Sequence, residues 1–533
     1  DVGLSLFKLV EHYGLGRKDQ SALLATKGRH LSDFTEQEVA DMCTYNAADT
    51  DQCYALLRKL IPQTRREEVK LVDMTIRMLI EPHFDADLDL LHRTLEEESI
   101  RRQKAMLEAA KTMDVYDPLV SEDENIAAVL KVLSSAAKFA TFLQTLGVEV
   151  PLKVSPRTGK DIPALAKTDE DFLALQEHQD PVVASAAAAR LDAKSTILQT
   201  RIQAFLAAAG AHPKSQVPIP LKYYGADTTG RWSGWGYNPQ NLPRVNPYNP
   251  RPSDALRKSL VAPPGHKVVV ADLSGIELRV NHFLWQVPSS VAMFKADPEK
   301  ADLYKDFASR LYNVPFDEVT KQQRQVGKVA HLGLGFGAGW KTFMTVAKVM
   351  GGVELDENES RDIVDKWRSQ YYEITQGWRT CHNVLPTMMR GETGVAVDPW
   401  GMVVPTPVGL QTPKGIIRYP SLRTERNEDD NRMEFVYGHG RNKARIYAGK
   451  IDENIVQHLA RCVIADNALT VQQITGLNPA LMVHDELVYV VPEDDAVRIL
   501  DVVQQVMRTP PVWWPELITW SEGDIADTYG DAK

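Results

Sequence analysis

The 533-residue chain carries 61 lysines and arginines against 71 aspartates and glutamates, a net charge of −10, with 44% hydrophobic and 25% charged residues. That is the usual globular mix, with length for three or four domains and no internal repeat or low-complexity tract. No apolar run is long enough to span a bilayer and no charged-then-apolar leader opens the chain, so a cytoplasmic setting and no membrane partner are expected. The net charge argues mildly against a nucleic-acid binder, but a local basic cleft, not the sum, is what attracts phosphate. Cys43, Cys53, Cys381 and Cys462 form no CxxC pair, so neither a zinc site nor a disulfide framework is implied.

In chain order, residues 1–60 read as short amphipathic helices, among them GLSLFKLVEHYGL and TEQEVADMCTYNAADTDQCYALLRKL. Residues 64–115 form one long helical pattern rich in i,i+4 charge pairs. Residues 125–210 are Ala- and Leu-rich helix, interrupted by the basic turn KVSPRTGKDIP. The Pro-rich AHPKSQVPIP near residue 211 marks a domain boundary, after which comes YYGADTTGRWSGWGYNPQNLPR. HKVVVADLSGIELRV reads as a buried strand running into a helix. Residues 300–380 are again mostly helical, MVVPTPVGLQTPKGIIRYP within 400–422 reads as a β-hairpin, and a helix follows near 448–470. PALMVHDELVYVVP gives two apolar β runs around a tight, acidic HDE. The fold class expected is α+β.

Asp272 closes the apolar run Val268–Ala271, and Asp485 and Glu486 interrupt Leu481–Tyr489. A buried, unpaired carboxylate costs several kcal/mol. Either place alone is read equally well as one satisfied acid at a strand end; two together are better explained by a shared divalent metal. Hard oxygen ligands suit Mg²⁺, and a metal pair can clamp the attacking and leaving oxygens of phosphoryl transfer. Between them lies KQQRQVGKVAHLGLGFGAGW, where Arg324, Lys328 and His331 share one helical face. A solvated basic face is the plain reading. The added Leu332, Phe336 and Gly333, Gly335, Gly337 and Gly339 also suit a nucleotide, with phosphates on the cations and a base against the ring.

Taken together, ADLSGIELR, RQVGKVAHLGLGFG and MVHDE, in that order and after TTGR and NPQNLPR, resemble the motifs of family A DNA polymerases, the bacterial DNA polymerase I-like group. The resemblance covers about residues 60–533, including a thumb-like stretch around KVSPRTGK and LDAKSTILQTR, and GKIDENIVQHLAR is most similar to phage members. It implies a right-hand polymerase, with a palm built on an antiparallel sheet and helical fingers and thumb, in phage DNA replication. The implied domains are a C-terminal remnant of a 3′–5′ exonuclease domain over 1–62, linker helix and thumb over 63–215, palm over 216–290 and 401–533, and fingers over 291–400. Primer–template DNA and deoxynucleoside triphosphates are the implied partners, and two Mg²⁺ ions, replaceable by Mn²⁺, the implied cofactor.

The resemblance also assigns roles. Asp272 and Asp485 would ligate the metals with the Leu273 carbonyl, and Glu486 would support the site and the primer end. Arg324 and Lys328 would grip the triphosphate, Lys328 doubling as general acid for the leaving pyrophosphate. Glu277 matches the steric gate that excludes ribonucleotides, and Phe336 would sit near the template base and against Glu277. Arg231, Gln457, His484 and Asn241 would contact the primer–template, and Arg279 reads equally as a structural ion pair. This sequence departs from the family at several positions. Leu332 stands where Phe or Tyr is usual, in the nucleotide-binding surface, and Phe336 replaces Tyr and loses a hydroxyl that could hold Glu277. Gly275, also at the nucleotide site, and His331 replace Gln and Asn, and Tyr304 replaces His. Arg418, Arg423, Arg426, Arg432, Arg441, Lys443, Arg445 and Lys450 form a basic cluster that could track the duplex, although those in TERNEDDNR alternate with acids.

Tyr45 and Asp49 fit the YxxxD motif of the family's proofreading exonuclease; with no DxE pair upstream, no proofreading is expected of this chain. Two rival readings stay open: a single-subunit RNA polymerase, against which Glu277 and the VHDE form argue, and a catalytically degenerate DNA-binding scaffold.

Overall fold

The structure is a computed structural model that describes residues 5–16, 26, 28–155, 160–167, 169–244, 254–427 and 431–532. Its centre is a four-stranded antiparallel sheet in the order Leu481–Val483, Glu486–Pro492, His266–Leu273, Ser521–Ala526. The β-branched run of HKVVVADL favours a strand, and four consecutive residues, Val268 to Ala271, are buried there. Helix Ala496–Arg508 packs across this sheet, and helix Ala448–Thr475 runs beside it. Val483 pairs with Glu486, leaving His484 and Asp485 as a two-residue hairpin turn. His484 has φ 55°, the left-handed region that such a turn demands and that glycine ordinarily fills.

Two separate apolar cores form. The larger surrounds the central sheet and reaches from Leu71 to Ala532. The smaller lies among helices Leu88–Thr112, Glu122–Leu133, Ala136–Thr145 and Pro181–Lys194, around Met106, Leu133, Phe139 and Phe172. Buried Arg190 stitches the smaller core together: its guanidinium lies 4.8 Å from the Phe139 ring centre and donates to the carbonyls of Leu133, Ser135 and Leu165.

Three expectations need correction. The single helix over 64–115 is two helices, Arg66–Ile80 and Leu88–Thr112, because Pro82 breaks the pattern. Asp85–Ala86 in the gap pairs with Leu260–Val261. The hairpin at 400–422 is a three-stranded meander, Val404–Thr406, Gly409–Thr412 and Gly415–Arg418, and a second meander follows over Arg423–Arg426, Met433–Tyr437 and Ala444–Ile446. The basic turn KVSPRTGKDIP is a hairpin in which Leu152–Val154 pairs with Asp161–Pro163, and residues 156–159 lie outside the described residues. No single helix among the described residues is long and apolar enough to cross a membrane.

Candidate active site

Strand register explains why acids sit in these apolar strands. Asp272 pairs directly with Glu486 on one side and with Glu522 on the other, so three carboxylates share one face at the end of the sheet. The Leu273 amide donates to the Asp485 carbonyl at 3.0 Å. In an antiparallel pair a residue's N–H and C=O point the same way, so the Leu273 carbonyl also faces the Asp485 turn. Asp272 and Asp485 are half-buried at strand ends. Among the described residues no three His, Cys, Asp or Glu side chains converge as a ready metal cage. Two aspartates and a backbone carbonyl still suit a hard cation that draws its remaining oxygens from water and substrate phosphates.

Glu486 is different. It is 2% exposed, and its Oε1 accepts from the Tyr529 hydroxyl at 2.6 Å. Arg257 lies over the Tyr529 ring at 3.9 Å, and Arg244 approaches Glu486 at 3.9 Å. Glu486 is therefore tied into the C-terminal segment, and Tyr529 is a site residue that no motif announced. His484 stands at the turn, where partial desolvation and the nearby Arg231 charge lower its proton affinity.

After strand His266–Leu273 the chain turns through Gly275, φ 61°, into helix Ile276–Leu284. Any other residue here would bear the left-handed backbone, which accounts for glycine at this departure from the family pattern. Glu277 opens the helix and pairs with Arg231 at 3.1 Å, a contact that joins this helix to the TTGR segment. Burial raises the Glu277 carboxyl above its ordinary range, Arg231 opposes the rise and Glu453 adds to it. Glu453 also accepts from Gln457 at 3.2 Å and from Lys450 at 2.9 Å. Among the described residues Arg279 has no ion pair: buried, it donates to the carbonyls of Ser274, Pro298 and Ile518 and stacks 4.3 Å from Phe294. Burial pushes its guanidinium down to about 10.

The basic helix spans Lys321–Leu334 and opens with a capping box between Thr320 and Gln323. Arg324, Lys328 and Leu332, each four residues from the last, form its exposed stripe, with Leu332 48% exposed. His331 does not join that stripe. It is buried among Tyr304, His282, Phe307 and Tyr371, its Nε2 meets the Leu303 carbonyl at 3.2 Å, and burial pushes it down to about 3, so it is neutral. Arg324 binds Asp302 at 2.5 Å and lies over the Tyr304 ring at 5.4 Å. Tyr304, raised by burial, is within electrostatic reach of Arg324, Asp302 and Asp485, which links the basic helix to the acidic turn. The helix ends at Leu334 as the glycines predict, and partly buried Phe336 follows.

Behind the cleft, buried Arg461 grips Glu68 through two bonds of 3.1 and 2.9 Å and donates to the Gly230 carbonyl, the residue before Arg231. Gln240 holds the Met482 carbonyl at 3.2 Å. Its neighbour Asn241 is exposed, and its carbonyl accepts from Arg201 at 2.6 Å. The basic cluster is largely self-paired: Glu425 takes Arg423 and Lys443, Glu434 takes Arg445, and Glu453 takes Lys450. The Arg441 side chain lies outside the described residues. Tyr45 and Asp49 stand one turn apart, both half-buried, on helix Glu36–Leu60, away from these groups in sequence.

Comparison with known proteins agrees with this geometry. Residues 130–385 match the model of DNA polymerase family A. A DNA polymerase of Bacillus phage SP02 is 26% identical over 63% of this chain and 56% of its own length. DNA polymerase I of Rhizobium leguminosarum is 24% identical over 56% of this chain and 26% of its own length. The chain thus spans from about a quarter to just over half the length of these two relatives. The POL domain of Pol1 from M. smegmatis, solved in complex with DNA primer-template and dNTP, shares the fold with a TM-score of 0.66 at 18% identity, over 100% of this chain and 80% of that one. By motif order, architecture and these matches, the chain is similar to DNA polymerase family A, with the family model matched over residues 130–385.

Proposed function

We propose that this chain is a template-directed DNA polymerase of phage DNA replication, adding deoxynucleotides to a primer 3′-OH. The observation that carries the reading is the meeting of Asp272 and Asp485 at one sheet end, in a chain whose helix Lys321–Leu334 exposes Arg324 and Lys328 on one stripe. In this reading 216–290 and 401–533 are palm, 291–400 fingers and 63–215 linker helix and thumb.

Asp272, Asp485 and the Leu273 carbonyl would hold two Mg²⁺ ions, which Mn²⁺ could replace. Bound there, the ions supply charge neutralisation for the attacking and leaving oxygens. The primer 3′-oxygen forms a bond to the α-phosphorus, the bond from that phosphorus to the β-phosphate oxygen breaks, and pyrophosphate leaves. Arg324 binds the triphosphate. Lys328, exposed and without an ion-pair partner among the described residues, is placed to protonate the departing pyrophosphate. Leu332 and Phe336 offer the apolar surface beside the nucleotide, and Glu277, held by Arg231, crowds the sugar 2′ position. Gln457, His484 and Asn241 are the proposed duplex contacts, and Glu486 braces the turn through Tyr529.

Primer extension by wild type and Asp485→Ala, side by side with deoxy- and ribonucleotides, tests the reading. Wild type should extend with deoxynucleotides and the variant should lose at least about a hundredfold in rate. No extension by wild type with Mg²⁺ or Mn²⁺ would favour the scaffold reading. Preferential use of ribonucleotides would favour an RNA polymerase.

A further inference from the structure

We propose that Asp302 is a counter-charge for Arg324: it holds the phosphate-binding guanidinium while no nucleotide is bound, and takes it back as pyrophosphate leaves. The inference rests on the polymerase reading above.

Asp302 is anchored by its own helix. It caps Leu303–Tyr312, its Oδ1 accepting from the Lys305 amide at 3.0 Å, which leaves Oδ2 to receive the Arg324 Nε at 2.5 Å. The helix it caps is joined closely to the one that bears Arg324. A Cβ on Gly327 would sit 2.1 Å from the Tyr304 carbonyl oxygen, so only glycine permits that approach. The His331 Nε2 contact to the Leu303 carbonyl closes the same seam one turn further along. The two helices therefore form one body, and Asp302 stays beside Arg324 whenever that body moves.

A carboxylate fixed next to a triphosphate subsite has a definite electrostatic consequence. The pair presents no net charge to an arriving polyanion, so a triphosphate must displace Asp302 before it receives the full cation. Orientation of Arg324 does not depend on Asp302 alone, because the Tyr304 ring also supports the guanidinium. During departure the relation reverses. Asp302 offers Arg324 a replacement partner, which makes loss of pyrophosphate easier.

The test replaces the charge and keeps the cap. Asn and Ser cap helices about as well as Asp, so Asp302→Asn and Asp302→Ser retain the Lys305 contact. Steady-state single-nucleotide insertion should show a nucleotide KM about two- to fivefold below wild type, the range for a half-exposed ion pair. Inhibition by added pyrophosphate should tighten by a similar factor. A KM that is unchanged or raised in both variants while wild type extends overturns the inference and leaves the polymerase reading standing. Absence of extension by wild type overturns both.

Discussion

The most testable physical anomaly is Asp452, which has no exposed surface and no cation beside it. It projects from helix Ala448–Thr475 to the indoles of Trp285, just past helix Ile276–Leu284, and Trp378, on helix Tyr372–Met389. Oδ1 accepts from Trp285 Nε1 at 2.9 Å and Oδ2 from Trp378 Nε1 at 3.1 Å. Burial raises the carboxyl from 3.8 to about 7, the two indoles pull it back and Glu453 adds to the rise. Because the folded value is raised, the folded state binds the proton more tightly than the unfolded one. Below pH 4 the group contributes nothing. Between pH 4 and 7 the unfolded chain ionises first and stability falls, and above pH 7 the full cost is present. At about 1.4 kcal/mol per pH unit that cost reaches about 4 kcal/mol. Asn carries no charge but keeps only one acceptor for the two indoles, so Asp452→Asn adds a penalty that does not depend on pH. The stability of Asp452→Asn relative to wild type should therefore rise by about 3 kcal/mol between pH 4.5 and pH 8. Urea melts followed by tryptophan fluorescence at pH 4.5, 6, 7 and 8 measure the difference. A constant offset across that range would refute the reasoning, because it would mean that Asp452 does not titrate there.

Three further outcomes are expected. Leu332→Phe should change the ratio of dideoxy- to deoxynucleotide insertion, since Leu332 lies on the exposed stripe with Arg324 and Lys328; an unchanged ratio removes Leu332 from the nucleotide surface. Arg231→Ala should raise the ratio of ribo- to deoxynucleotide insertion more than Phe336→Tyr lowers it, because Arg231 already holds Glu277 at 3.1 Å, and single-nucleotide insertion assays rank the two. Arg461→Met should cost about 3–5 kcal/mol by stranding Glu68, and the loss should shrink at low pH as Glu68 takes a proton; denaturant midpoints at pH 5 and 8 check this.

The sequence pointed to the groups proposed to act and concealed the partners that hold them. Asp272 and Asp485 were legible because charge in an apolar strand is costly and stands out. Arg324 and Lys328 were legible because helical spacing put them on one face. Asp302, Tyr529 and Glu68 were not, because each is an ordinary acid or phenol whose importance comes from a partner distant in the chain. His331 was misread for a related reason. Spacing alone placed it with Arg324 and Lys328, and its angle on the helix agrees, but at that turn Tyr304, Phe307 and Tyr371 cover the face. Arg279 went the same way: a lone arginine suggests an acid, and here three carbonyls satisfy it. The 64–115 helix failed at Pro82, a signal present in the sequence and outweighed by the charge pairs on either side.

A chain of net charge −10 that is proposed to bind DNA raises the question of how its cations would do their work. Many of them start out engaged: Arg324 with Asp302, Arg231 with Glu277, Lys443 and Arg423 with Glu425, Arg445 with Glu434. When a free cation neutralises a phosphate, one condensed counterion is released, and each such contact adds about 0.9 to the slope of log K against log salt. When a paired cation does so, it abandons a carboxylate that then gathers a cation from solution, and the net release is close to zero. The eight cations of the 418–450 cluster would add about 7 to the slope if all were free. With four of them paired, the contribution falls to about half that or less. Single substitutions separate the cases. Arg418→Ala, on an exposed side chain outside the ion-pair set, should lower the slope by about 0.9. Lys443→Ala should weaken binding little and leave the slope nearly unchanged, because it frees Glu425 for Arg423 alone. Fluorescence anisotropy on a primed duplex between 50 and 300 mM salt, on the order of the range used for such slopes, measures both. Equal slope changes for the two variants would mean that the carboxylate partners do not buffer the cations, and the exchange argument, for this cluster and by extension for Arg324, would fail.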